Sequence, residues 1–430
     1  MFLYRLISVV VATFLFPILS PRVLCTPKYR SVVKERLGWT PLSFLRKKST
    51  PYVWIHALSV GEVNSAIAFV KAYAASHPDI EVVFSATTQT GYATAKSALG
   101  KDVPVFLFPY DFSFSVMKRI REISPTRVIL VETDIWPGFL IALHQAKIPV
   151  DLVNARLSDR SFKGYVKYKW FFKKIFSYFT AIMVQTEEDA KRFEQIGVLP
   201  QKIQVTGNMK YDAEIDPLSE SEREIRRFAL EIKENEILWV AGSTHPGEEE
   251  LLLHAMNDFL KAGSARLVIV PRDPKRAVHI KKQCEENGYS AHLLSEGKNE
   301  SVSVFVVDGF GQLIDLYGIA DAAFVGGSLL SFGGHNPLEP AARQVPVLFG
   351  SDMSDFRFPA RVLVAQKGAI EVSDETDLKQ AIAFLSTHKE TRQKMGKAAR
   401  QVFLENKGAL VKTLQRLSIE LGYDDGTMAT

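Results

Sequence analysis

Cysteine is nearly missing. Cys25 and Cys284 are the two in 430 residues. That excludes a disulfide framework and a cysteine-based zinc site, and it fits a reducing compartment. Long basic runs are missing too, the longest being Arg46-Lys47-Lys48, and the formal net charge of +5 is mild for this length. Nucleic-acid binding is therefore disfavoured, and anionic substrates or an anionic membrane surface fit better. The chain has no Asp-x-Asp pair, no P-loop lysine motif and no Gly-x-Gly-x-x-Gly fingerprint. Those absences argue against a metal-dependent sugar transferase, a kinase and a dehydrogenase. No metal site and no cofactor are called for.

What remains is globular material. Hydrophobic residues make up 47% and charged residues 23%, and the length fits two domains. Leu6 to Pro21 carries no charge. It is marginal against the roughly 17 apolar residues a bilayer-spanning helix needs, unless Phe2 and Leu3 extend it while Arg5 snorkels. No small-x-small cleavage site precedes the charges, which disfavours a removed signal peptide. Arg22, Lys28, Arg30, Lys34 and Arg36 follow the segment. The expectation is a membrane anchor over 1–28, with the rest of the chain on the cytoplasmic side. A helix lying in one leaflet is the alternative.

Short apolar runs then alternate with helical stretches. After a basic, loop-rich stretch (29–50), the runs are 52–57, 81–86, 104–108, 127–131, 148–153 and 181–184. Asp212 to Glu220 reads as a linker. The series restarts at 237–241, 267–270, 302–307, 322–325 and 345–349. A final amphipathic helical stretch covers about 376–421. The pattern predicts two successive doubly wound α/β domains, over 29–214 and 215–400, then a closing helix and tail over 401–430. Ligands in such sheets sit at the carboxyl ends of the strands, so the residues after each run carry the interest.

Glu62 follows the first run in Ser59-Val60-Gly61-Glu62. It reads either as a favourable charge at a helix start or as a general base. Glu132-Thr133-Asp134-Ile135-Trp136-Pro137 is either a capping cluster or a sugar or head-group site. Arg156 and Lys210 are candidate anion clamps or surface ion-pair partners. In the second half, Gly242-Ser243-Thr244-His245 offers small and hydroxyl residues where a helix opens. Arg272 and the Gly309–Gly311 turn follow later strands. Gly326-Gly327-Ser328 and Gly333-Gly334-His335-Asn336-Pro337-Leu338-Glu339-Pro340 form the densest stretch. Free amides there would meet a phosphate, and Glu339 could take both hydroxyls of a ribose.

Together these blocks resemble the Kdo (3-deoxy-octulosonic acid) transferases of Gram-negative bacteria, glycosyltransferase family 30. The likeness rests on Trp54 to Val63, Glu132 to Pro137, Val153 to Ser158, Gly207 to Asp212, Ala241 to His245, Phe324 to Ser328 and Gly333 to Pro340, in family order. It implies a GT-B fold, two Rossmann-like domains facing across a cleft, with the acceptor site in the first and CMP-Kdo in the second. It implies inverting transfer of Kdo to a lipid A precursor at the inner membrane. Glu62 would be the general base and Glu132 a second acid in the same site. Ser243, Thr244, Arg272, Gly309, Gly311, Asn336 and Glu339 would surround the donor, and Arg156 or Lys210 an anionic group. The family often carries Asn where this chain has Gly138, so a polar contact there is in question. A GT-B enzyme using a UDP-sugar, or a non-catalytic nucleotide-binding protein of the same fold, are the competing readings.

Overall fold

β1 (Tyr52–Ala57) is buried at every position and pairs in parallel with β2 (Glu81–Ala86) and β4 (Pro125–Val131). A parallel sheet is covered on both faces, so its strands read as continuous apolar runs. That is why Val53-Trp54-Ile55 was legible as a strand. The computed structural model describes residues 27–45, 50–212, 215–297 and 302–420. Cys25 and all but the last two residues of the expected anchor lie outside them. Among the described residues no helix is long and apolar enough to cross a membrane.

The first sheet has the order β3 (Val105–Leu107), β2, β1, β4, β5 (Val150–Ala155), β6 (Ile182–Val184), β7 (Ile203–Val205), with every pair parallel. The second has the order β10 (Ala291–Leu293), β11 (Val304–Val306), β9 (Ala265–Pro271), β8 (Ile237–Thr244), β12 (Ala322–Val325), β13 (Val347–Gly350), β14 (Ala369–Val372), again all parallel. Strand order reverses beside β1 in one and beside β8 in the other. Those reversals, β1/β4 and β8/β12, are the switch points where an open α/β sheet leaves a crevice. Both units have the doubly wound α/β architecture expected from the sequence.

One unit holds the described residues up to Asp212 together with those from Lys407 on; the described residues between them form the other. The return is anchored chemically. The Asp212 carboxylate accepts the amides of Gly408 (2.5 Å), Ala409 (3.2 Å) and Leu410, so it caps the helix Ala409–Glu420. Buried Arg127 on β4 pairs with Asp151 on β5 (2.5 Å) and donates to the Leu417 carbonyl (3.1 Å). Ala409 and Leu417 join the core formed with Val53, Ile55 and Val63.

Three expectations are corrected. β7, β10 and β14 were not anticipated, and all three lie at sheet edges. Edge strands are short and half solvated, so Ile-Gln-Val, Ala-His-Leu and Ala-Ile-Glu-Val carry no apolar run. The stretch 376–421 is not one helix but three, Glu375–Thr387, Lys389–Glu405 and Ala409–Glu420. The last break falls at Gly408, whose φ of 94° a helix cannot hold. The stretch 29–50 contains part of a helix, Pro27–Arg36, tied down where Arg36 Nε donates to the Phe108 carbonyl (2.9 Å).

Candidate active site

At the β1/β4 switch point two carboxylates face one another electrostatically. Ser59 is the N-cap residue of the helix Val60–Ser76, which puts Glu62 in its first turn. Glu62 Oε2 accepts the amides of Leu58 (2.6 Å) and Ser59 (3.4 Å). Burial, joined by the charges of Glu132 and Asp134, pushes the Glu62 carboxyl up to about 7, against the pull of those amides. A carboxyl group poised near neutrality takes up a proton more readily than an ordinary glutamate.

Glu132 directly follows β4 in the left-handed region, φ 62°, with its amide donating to the Val153 carbonyl (2.9 Å). A non-glycine residue held there is strained by roughly 1–3 kcal/mol. Glu132 Oε1 pairs with Lys210 Nζ (2.8 Å) and accepts from Ser65 Oγ (3.3 Å), a hydroxyl on the Glu62 helix. Buried Asn154, φ 55° at the end of β5, delivers Lys210 by accepting the Met209 amide (3.0 Å). Arg156 stands just beyond, with its amide and carbonyl both on Thr133 Oγ1 (3.1 and 2.5 Å). Glu62, Glu132 and Arg156 therefore follow three neighbouring strands, β1, β4 and β5, and the Met209–Tyr211 turn beyond β7 brings Lys210 to Glu132.

A second layer lies beneath. Asp134 Oδ2 accepts from Trp136 Nε1 (2.6 Å) and meets His56 Nε2 (3.3 Å). His56 is fully buried on β1, stacked on Phe108 (3.9 Å between centroids), with Nδ1 3.0 Å from the Ser85 carbonyl. Both ring nitrogens thus face an oxygen that accepts. The question over Gly138 also has an answer here. Asp111 takes the amides of Gly138 (2.9 Å) and Phe139 (2.6 Å) at the start of the helix Pro137–Gln145. A Cβ at 138 would stand 2.6 Å from Asp111 Oδ1. The aspartate occupies the space a side chain at 138 would need and supplies its own polar group.

In the second unit β8 ends at Ser243, φ 56°, and Thr244. The Thr244 hydroxyl is buried and donates to Glu249 Oε1 (2.8 Å), which also binds Arg276 (2.8 Å). Gly326 lies so close that a Cβ would meet the Ser243 carbonyl at 2.6 Å. The amides of the glycine turn are not free as expected. Buried Glu248 accepts those of Gly327 (2.7 Å), Ser328 (3.0 Å) and Leu329 (3.1 Å), and that of His245 (2.9 Å). Local sequence does not single out this carboxylate, which looks like one of three ordinary acids, Glu248 to Glu250, at a helix start.

His245 and His335 bring their Nε2 atoms to 2.9 Å, and His245 stacks on Phe332. Burial, the Arg272 charge and His245 lower His335 to about 4, so it is neutral at pH 7. Asn336 spans Glu339 Oε1 (3.4 Å) and the Leu338 amide (3.1 Å). Burial raises the Glu339 carboxyl, opposed by Asn336 and by Arg272. Arg272 itself is exposed, and its guanidinium makes no hydrogen bond or ion pair among the described residues. Gly309 and Gly311 flank exposed Phe310 in the turn after β11. Arg272, His335, Asn336 and Glu339 form one neighbourhood in electrostatic reach. The Thr244 side chain is committed elsewhere. The histidines His56, His245 and His335 were given no role from sequence, since their partners lie 29 to 90 positions away.

A family model described as 3-Deoxy-D-manno-octulosonic-acid transferase (kdotransferase) matches residues 31–213. The 3-deoxy-D-manno-octulosonic acid transferase of Haemophilus influenzae is 35% identical over 94% of this chain and 97% of its own. That of Chlamydophila psittaci is 32% identical over 80% of this chain and 79% of its own. Among solved structures, a putative UDP-N-acetylglucosamine 2-epimerase from Listeria monocytogenes matches with TM-score 0.60 at 13% identity, over 88% of this chain and 98% of that one. Acinetobacter baumannii MurG matches with TM-score 0.54 at 14% identity, over 86% and 99%. These structural likenesses establish a GT-B fold.

Proposed function

The chain belongs to the 3-deoxy-D-manno-octulosonic acid (Kdo) transferase family and is a glycosyltransferase, and on that premise we propose that it moves Kdo from CMP-Kdo to a lipid A precursor with inversion. Glu62 is the general base. The observation that carries this reading is its carboxyl group, raised to about 7 beside Glu132 at the β1/β4 switch point. The proton of the acceptor hydroxyl passes to Glu62 as that oxygen bonds to the anomeric carbon of Kdo. The bond from that carbon to the CMP phosphate oxygen breaks, and its electron pair leaves with CMP. Attack from the opposite face inverts the centre.

Glu132 keeps Lys210 in place and, with its own charge, keeps Glu62 basic. Lys210 or Arg156 takes an anionic group of the acceptor. On the donor side, Arg272 is the cation available to the leaving phosphate. The backbone at Ser243, Thr244, Gly309 and Gly311 allows close approach of the nucleotide. Asn336 holds Glu339 toward the ribose. We place the enzyme at the inner membrane of a Gram-negative bacterium, with both units on the cytoplasmic side. The basic residues after the N-terminal apolar segment support that orientation.

The test incubates purified protein with CMP-Kdo and a tetraacylated lipid A precursor in EDTA, and reads the lipid by mass spectrometry. The expected product carries added Kdo, and a folded Glu62→Gln variant makes none. CMP binding without transfer by the wild type would overturn the acceptor assignment. Undiminished transfer by the variant would remove Glu62 as base.

A further inference from the structure

Beyond β5 the chain folds into two short helices, Asp159–Lys167 and Lys169–Phe176, that meet in a bend at Tyr168. One face is ordinary core. Ile175 and Phe176 are buried, and Phe162, Tyr165, Phe171 and Phe172 pack against the same cluster. This inner face also feels the site, since burial and the Asp134 charge raise the Tyr165 phenol to about 12. The outer face is anomalous. Trp170 is 76% exposed, Tyr168 49% and Val166 40%, and all three lie at or beside the bend.

Cations surround them. Arg160, Lys163, Lys167, Lys169, Lys173 and Lys174 are all exposed, and Asp159 is the one acid in either helix. Among the described residues none of these six cations pairs with an acid, while Asp159 is drawn inward to Arg192 (2.6 Å). An apolar wedge of Val, Tyr and Trp flanked by lysines without an acidic partner, Lys167 lying over the Tyr168 ring (5.5 Å), marks an interaction surface. It matches the two layers of an anionic bilayer: acyl boundary for the rings, head groups for the ammonium groups.

We propose that this helical elbow is a membrane-docking surface, seated on anionic phospholipid with Trp170 at the acyl boundary. It acts in addition to any contact made by the N-terminal segment. The same helices carry Tyr165 toward Asp134, and Ser158, the cap of the first, lies two residues from Arg156. Docking here holds the β4 and β5 strand ends close to the lipid surface. The inference deepens the lipid-acceptor reading but rests on its own geometry.

The test uses the full-length protein and vesicles of phosphatidylglycerol or phosphatidylcholine brominated in the acyl chains, with neither donor nor acceptor present. Bromine quenches tryptophan only at close range. The expected result is strong quenching on phosphatidylglycerol and loss of most of it in Trp170→Phe. Weak quenching of the wild type is expected on phosphatidylcholine. A second variant, Lys167→Glu/Lys169→Glu/Lys173→Glu/Lys174→Glu, should lose the same quenching while its circular dichroism is unchanged. Equal quenching in wild type and Trp170→Phe would overturn the proposal and leave the elbow to a protein partner. Quenching as expected here, together with no Kdo transfer in the separate assay with CMP-Kdo and the lipid A precursor, would overturn the acceptor reading alone.

Discussion

Glu62 shows how one position trades stability for chemistry. Its folded-state carboxyl lies near 7, well above the ordinary 4.5. Between those values the folded chain holds a proton that the unfolded chain has lost, so this group's contribution to stability falls as pH rises through about 7. Glu62→Gln should therefore match wild type in melting temperature at pH 4 and exceed it at pH 8. The gap should open across 4.5 to 7, as read by thermal denaturation in a pH series. The same proton governs rate. Transfer by the wild type should climb with pH to a plateau above an apparent value near 7, and a flat profile over pH 5.5 to 8.5 would count against a Glu62 base. Glu62 and Glu132 are legible in the sequence because Glu132 directly follows an apolar run and Glu62 opens the helical stretch just past one. The Glu132–Lys210 pair is not. Lys210 is brought in by Asn154 and the Met209 amide, a long-range closure that no local pattern records.

Helix starts and sheet edges mark the limit of that legibility at the level of elements. Inner strands were read because burial on both faces demands apolar runs, whereas β7, β10 and β14 are relieved of that demand. The Pro137–Gln145 helix was marked by its proline, but its cap, Asp111, is 26 residues upstream and invisible to any motif. Asp111→Ala should cost about 1–2 kcal/mol, the usual loss for a removed cap. Gly138→Asn should also destabilise, since its Cβ would press on Asp111 Oδ1. In the double variant the asparagine gains the vacated space, and the combined loss should be smaller than the sum of the two. Urea midpoints of the four proteins measure that coupling. Strict additivity would mean that Asp111 does not stand in for the family's asparagine.

At the scale of the whole molecule, the first unit is completed by residues from the far end of the chain. Ala409 and Leu417 enter its core, Asp212 caps their helix, and Arg127 reaches from β4 to the Leu417 carbonyl. The β1 and β4 strands that present Glu62 and Glu132 therefore depend on a segment that follows the whole second unit in the chain. Leu417 is fully buried, so Leu417→Ala should cost about 2–5 kcal/mol. The loss should be local in a way that sequence proximity does not suggest. Amide hydrogen exchange should quicken in β1, β4 and β5, which lie far from Leu417 in sequence (Arg127 on β4 is 290 residues away), and remain unchanged in β8 and β9, which are nearer in the chain. Arg127 adds a second reason. Once the helix loosens, the buried Arg127 guanidinium loses the Leu417 carbonyl, and buried charges with fewer partners are unfavourable. Exchange that quickened in the second unit instead would mean the closing helix serves the domain it follows rather than the one it returns to.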